Sequence, residues 1–183
     1  MEIRSIESRD AKELRAFFDR IPEGDRTFFK EDVLDAQIVP SWVQDTRARR
    51  SVAVDGGQIV GCVAVIPGVG WSSHVGDLRL VVDPTRRRKG VGRQLARRGL
   101  LDALRLGLRK IVVEVVADQT PAINMFQAIG FSGEALLRDY VRDRSGELRD
   151  LVLLAHSVDD RSSANASGKR RSSKSCSSTR RRT

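Results

Sequence analysis

The chain has 183 residues, 40% of them hydrophobic, which is enough for one domain with a substantial core, and it carries a formal net charge of +9. Eight basic residues and no acidic one lie between Arg161 and Thr183, leaving +1 for residues 1–160, so the high pI belongs to a tail and not to the body. No apolar run approaches the roughly 20 residues needed to cross a bilayer, the opening Met1-Glu2-Ile3-Arg4 lacks a signal peptide's apolar core, and Cys62 and Cys176 form neither a disulfide framework nor a metal-ligand spacing, so a soluble cytoplasmic chain without a metal centre is expected.

Glu2 to Ile6 alternates as a short strand. Ser8 then offers an N-cap for a helix whose apolar face uses Ala11, Leu14, Phe17, Phe18 and Ile21, and Pro22 and Gly24 end it. A short helix is predicted over Lys30 to Ile38, in a segment whose aromatics Phe28, Phe29 and Trp42 either line a pocket or join the core. A hairpin follows, Ser51 to Asp55 and Gln58 to Ile66 about Gly56-Gly57, stopped by Pro67-Gly68. Gly76 to Val82 is the next strand, ended by Asp83-Pro84. From Gly90 to Leu106 the residues Val91, Leu95, Leu100, Leu101, Leu104 and Leu108 keep a helical apolar stripe, with Gly107 as its stop. Lys110 to Val116 is nearly continuous in β-branched residues, as expected of a strand buried on both faces.

Thr120-Pro121 supplies an N-cap and a first-turn proline for a helix through Ala122, Ile123, Phe126 and Ile129, ending at Gly130. Glu134 to Arg142 and Glu147 to Ala155 close the order as strands about Ser145-Gly146. A strand–helix–strand unit in the middle requires at least one parallel pair, so the class is α/β or α+β with a mixed sheet. Arg161 to Thr183 contains only Ser, Arg, Lys, Ala, Gly, Thr, one Asn and one Cys and cannot offset its chain entropy by burial, so a domain over residues 1–158 and a disordered tail over 159–183 are expected.

The stretch that carries chemistry is Arg87-Arg88-Lys89-Gly90-Val91-Gly92, directly after an apolar strand and directly before an amphipathic helix. A helix N-terminus already bears about half a positive charge, so packing Arg86, Arg87, Arg88, Lys89 and Arg93 around it is unfavourable until an anion arrives. Gly90 and Gly92 remove side chains that would keep a phosphate from the backbone N–H groups. A solvated basic loop is the plain alternative. A Walker-type loop is excluded, because no Gly-x-x-x-x-Gly-Lys-Ser/Thr spacing occurs. A dinucleotide fingerprint at Gly90-Val91-Gly92-Arg93-Gln94-Leu95 lacks its third glycine and a strand-end acid, since Glu114 falls mid-strand.

Arg87-x-x-Gly90-x-Gly92 between a strand and a long helix resembles the acetyl-CoA pyrophosphate motif of the GNAT superfamily of N-acetyltransferases. Leu80 to Pro84 resembles that family's fourth strand and its exit, Lys110 to Val116 its fifth, and Ala122 to Phe131 its fourth helix ending in Gly-Phe; the likeness covers residues 2–158 and is most specific over 76–131. The resemblance implies a mixed, mostly antiparallel sheet of six to seven strands with flanking helices, splayed between the fourth and fifth strands. It implies acetyl-CoA as acyl donor, its pantetheine arm along the backbone of Leu80, Val81 and Val82, and its pyrophosphate on Arg87, Arg88, Lys89, Gly90, Val91, Gly92 and Arg93. Gln119 and Phe126 fall at helix positions that the family also uses toward the coenzyme.

The acceptor is then a primary amine of a small molecule or a protein, and some group must take its proton. Asp77 is the first candidate base and Glu114 on the neighbouring strand the second; a surface carboxylate and a salt bridge are their plain alternatives. Phe126 stands where many members have a proton-donating tyrosine, and Tyr140, the sole tyrosine, either substitutes for it or packs as a strand aromatic. His74 in a loop and His156 at a strand end have no partner evident in the pattern. Cys62 reads as a plain buried thiol. Two other readings stay open: an acyl-CoA-binding module without turnover, and a polyanion contact through the basic tail. The closing hairpin also offers an edge through which two copies can pair as a homodimer.

Overall fold

Seven runs of alternating or continuous apolar residues become strands: β1 (Glu2–Ser5), β2 (Arg49–Asp55), β3 (Gln58–Pro67), β4 (Val75–Val82), β5 (Lys110–Val116), β6 (Ser132–Arg142) and β7 (Leu148–Ser157). They form one sheet in the order β1-β2-β3-β4-β5-β7-β6. The computed structural model describes residues 1–26, 30–143 and 145–158; Phe28, Phe29 and the basic tail lie outside them. Every described pairing is antiparallel except β4 with β5. The expected class, a mixed and mostly antiparallel sheet with flanking helices, is therefore the one found.

Alternation along the strands sends side chains into two apolar layers. One layer holds Val63, Val65, Leu78, Ile111, Val113 and Leu154 beneath α4 (Val91–Arg105) and α5 (Thr120–Gln127). The other holds Val52 and Ile59 beneath α1 (Ala11–Arg20) and α3 (Ile38–Gln44), through Leu14, Phe17, Phe18 and Val39. A one-turn helix, α2 (Glu23–Arg26), lies between α1 and α3 in the chain.

Local chemistry moves several boundaries away from the sequence pattern. The first helical turn is capped by Glu7 and not Ser8, because Asp10 accepts from the Glu7 backbone N–H at 2.8 Å while Arg4 grips the same carboxylate with two bonds of 2.7 Å. No helix forms over Lys30 to Ile38. There Asp32 and Asp35 accept from the backbone N–H groups of Leu34 and Gln37, at 3.1 and 2.9 Å, and these Asx turns outcompete the helix until α3. Trp42 belongs to the core, stacked edge-on with Phe18 at 5.6 Å. Gln119, not Thr120, occupies the N-cap of α5, with the proline in its first turn.

The face that α4 turns to the sheet differs in part from its leucine stripe. Leu101 and Leu104 are 53% and 45% exposed, whereas Ala96, Gly99 and Ala103 face the sheet together with Val91 and Leu95. Small residues let the helix lie close on β3 and β4, a preference that hydrophobicity alone does not reveal. A Cβ added at Gly99 would lie 2.8 Å from Leu78 Cδ1 and 3.3 Å from Val63 Cγ2. Gly99→Val should therefore destabilise the fold by about 1–3 kcal/mol through overpacking, while Leu101→Gln should change it by less than about 0.5 kcal/mol. Urea unfolding midpoints check this, and equal midpoints for the two variants would contradict the packing described.

Candidate functional site

The sheet opens at one seam. β4 pairs with β3 over seven residues, Gly76 to Val82, but with β5 only through Val75↔Lys110, Gly76↔Ile111 and Asp77↔Val112. Beyond Asp77 the two strands diverge, so the β5-facing edge of Leu78 to Val82 has no strand partner among the described residues. Such an edge is a template for another extended chain. The splay expected between the fourth and fifth strands is present.

Where β4 ends, the chain turns through Arg87 and starts α4. Arg88 (φ 61°) and Gly90 (φ 81°) both take left-handed backbone, a sparsely populated region for arginine. Among the described residues no side chain caps α4, and its first-turn N–H groups lack a partner within the helix. Arg88, Lys89 and Arg93 are exposed and make no ion pair among the described residues. Gly92 leaves a gap whose walls are Val82, Leu80 and Met125, at 3.6 to 3.9 Å from where a Cβ would sit. The uncapped turn, the left-handed pair and the free cations together suit an anion with several oxygens.

Arg87 differs from its neighbours. Its guanidinium pairs with Asp25 of α2, and its Nε donates to the Val82 carbonyl at 3.3 Å. Asp83, buried just before the turn, accepts from the backbone N–H and the hydroxyl of Thr85 at 2.9 and 2.7 Å, and from Arg20 at 3.5 Å. Burial alone would raise its carboxyl, but the two Thr85 donors and Arg20 outweigh it and hold the group below its ordinary 3.8.

On the α1–α3 face of the seam lies a charged cluster. Asp77 of β4 and Glu114 of β5 each stand 3.0 Å from the same ammonium, Lys30 Nζ. Arg79 donates to Asp77 at 3.0 Å and pairs with Glu31, whose other oxygen accepts from Trp42 Nε1 at 2.6 Å. Burial would lower the Lys30 ammonium, yet the hydrogen bond to Glu114 and the charge of Asp77 prevail and hold it above the usual lysine range. β5 is thus not buried on both faces: Val112 and Glu114 open to this side.

A family model described as the Acetyltransferase (GNAT) family matches residues 11–131, which span α1, the seam and the turn into α4. The chain belongs to the GNAT acetyltransferase family. The fold agrees with solved structures at low identity. A ribosomal-protein-alanine N-acetyltransferase from Brucella melitensis superposes with a TM-score of 0.75 at 20% identity, over 86% of this chain and 99% of that one. A protein of Salmonella typhimurium solved with its cofactor acetyl-CoA superposes at 0.76 and 16% identity, over 91% and 98%. A mycothiol acetyltransferase of Geodermatophilus obscurus is 34% identical over 71 residues, 38% of this chain and only 23% of that protein's length.

Within this GNAT fold the other sequence candidates are dispersed. Gln119 caps α5 through its backbone, and Phe126 is buried with its ring edge-on to Phe131 at 5.2 Å. Tyr140 lies on β6, separated from β5 by β7, and is 62% exposed. His74 contributes its carbonyl, which accepts from the N–H groups of Arg109 and Lys110 and ties β5 to β4 at the closed end of the seam. His156 packs on Phe131 beyond β5. Loss of hydration pushes the Cys62 thiol up to about 12. Asp25, Lys30, Glu31 and Met125 reach the site without any sequence motif to announce them.

The Asp83 carboxylate stabilises the turn only while ionised. Its folded value lies below its unfolded one, so its contribution is complete above about pH 3.8 and is lost as pH falls through the depressed value. Asp83→Asn should accordingly flatten the acid limb: between about pH 5 and pH 2 the denaturant midpoint of the native chain should fall further than that of the variant. Parallel acid limbs would contradict the assignment.

Proposed function

We propose that the chain is an N-acetyltransferase that moves the acetyl group of acetyl-CoA directly onto a primary amine. The observation that carries this reading is the unpaired edge of β4 running from an acidic cluster at the seam to an uncapped, cation-rich helix start. The residues fit the coenzyme. The edge of Leu80, Val81 and Val82 would take its pantetheine amides, and the N–H groups from Arg88 to Arg93, with Arg87, Arg88, Lys89 and Arg93, would take its diphosphate. Arg87 would then exchange the Asp25 carboxylate for phosphate oxygens, and Met125 would border the same passage.

Acetyl-CoA supplies an acyl group on a thioester; transfer forms an N–C bond, breaks the C–S bond and releases the thiol. An alkylamine arrives as an ammonium with a pKa of about 10 and cannot attack until it loses a proton. Asp77, the last residue of β4 paired with β5, is the proposed base, directly or through water, with Glu114 as the alternative on the facing strand. The acceptor nitrogen gives up two protons in all, one to solvent by way of the carboxylate and one to the departing thiolate. Phe126 has no proton to give and Tyr140 stands two strands away from β5, so the second of these protons passes from the nitrogen to the thiolate, whose free pKa is about 8.5, directly or relayed by water. Direct attack is favoured because Cys62, the only cysteine among the described residues, is a protonated thiol at neutral pH.

Phe126 also favours a second reading, a coenzyme-binding module without turnover. Thiol release from acetyl-CoA, followed with a panel of primary amines, separates the two. The enzyme reading expects release with at least one amine, a kcat lowered by about 100-fold or more in Asp77→Asn, and a KM for acetyl-CoA raised by about tenfold in Arg87→Ala. Tyr140→Phe should stay within about twofold of the native rate. Coenzyme binding with no release on any amine would establish the module instead, and a native kcat in Asp77→Asn would remove that residue from the chemistry.

A further inference from the structure

The ammonium between the two proposed bases belongs to the protein itself. We propose that Lys30 is an internal stand-in for the acceptor: its ammonium fills the carboxylate pair that receives an alkylammonium, and the acceptor enters by displacing it. This deepens the acetyltransferase reading and rests on it for the identity of the bound group as an acceptor. The binding chemistry itself stands on the cluster.

Three features carry the inference. Lys30 Nζ is 3.0 Å from Asp77 Oδ2 and 3.0 Å from Glu114 Oε1, so it bridges β4 and β5 where their pairing has just stopped. A primary ammonium with three donors is what this pair of acceptors holds, and an incoming alkylammonium offers the same charge and the same donors. The charge count points the same way. Arg79 is engaged by Asp77 and Glu31, so with Lys30 withdrawn three carboxylates face one guanidinium and the cluster demands another cation. Finally, Lys30 is replaceable. Its side chain is 38% exposed, and ion pairs that water reaches are weak, so a ligand can compete with it. Lys12, Lys89 and Lys110, the other lysines among the described residues, do not touch this pair.

The acceptor class follows. A site that trades one alkylammonium for another selects primary aliphatic amines that are cationic at neutral pH, and gives little to neutral arylamines, which cannot satisfy two carboxylates.

The test uses the full chain, n-butylammonium as probe and n-butanol as its uncharged isostere, with binding followed by NMR titration. Lys30→Met keeps the length of the stem and removes the competitor. It should bind n-butylammonium about tenfold more tightly than the native chain, a gain of about 1.4 kcal/mol, while Lys30→Arg stays within about twofold of native and n-butanol shows no difference among the three. In the native chain, saturating n-butylammonium should raise the reactivity of Lys30 toward acetic anhydride at least about threefold relative to Lys12, read by peptide mass spectrometry; this readout needs no variant to fold. Equal n-butylammonium affinity in Lys30→Met and native chains, an equal gain for n-butanol, or unchanged Lys30 reactivity would overturn the proposal. Titrating coenzyme A into the same samples keeps the two readings apart: tighter ammonium binding in Lys30→Met without coenzyme binding sinks the acetyltransferase reading alone, and coenzyme binding without any Lys30 effect sinks the stand-in alone.

Discussion

The site depends on a parallel pairing that stops after three residues. β4 is committed to β3 over seven residues and β5 to β7 over seven, but β4 and β5 hold each other only from Val75 to Asp77. The His74 carbonyl, accepting from two N–H groups at the start of β5, clamps that end. Each half of the sheet then follows its own right-handed twist, and the gap widens toward the exit of β4. An exposed strand edge is ordinarily a hazard for aggregation. Here it runs between half-buried carboxylates at one end and an uncapped helix at the other, so the same divergence creates the edge and orients the charges beside it.

The chain fills both ends of this cleft with its own opposite charges. Asp25 sits on Arg87, where phosphate oxygens would go, and Lys30 sits between Asp77 and Glu114, where an acceptor ammonium would go. Neither contact is deeply buried, and pairs of this kind are cheap to exchange. Leaving the carboxylates bare would be costlier, because three negative groups within one cluster repel and Arg79 alone cannot neutralise them. Of the residues that supply the counter-charges, Asp25 belongs to α2 and Lys30 to the stretch before α3 that Asx turns at Asp32 and Asp35 keep out of a helix.

What the sequence revealed was whatever follows from periodicity and turn chemistry. β5 matches its apolar run residue for residue, the Gly56-Gly57 hairpin falls where the turn signal puts it, and the glycine-arginine turn was recognisable because cations at a helix start are locally unfavourable. What it concealed was whatever depends on long-range packing. The α4 stripe was rotated toward its leucines, since a helix pressed closely on a sheet buries Gly99 and Ala103 and leaves Leu101 outside. Asp102 on that same helix is buried with Arg98 and Ser51, at 2.9 and 3.3 Å, a carboxylate that no hydrophobic pattern would place in a core. Lys30 and Glu31 belong to no motif, and only the fold brings Lys30 across 47 or more positions to Asp77 and Glu114 and Glu31 across 48 to Arg79. In the sequence Asp77 and Glu114 are separate alternatives on neighbouring strands; that they share one ammonium is legible in neither strand alone.

On the proposed function, the free edge of β4 and the start of α4 act as one coenzyme-binding surface. Amide hydrogen exchange with and without coenzyme A tests it most directly, because protection reports backbone groups individually. The account predicts slowed exchange in two stretches together, residues 78–82 and residues 88–93. Protection confined to other parts of the sheet, or no change in either stretch at saturating coenzyme, would contradict it.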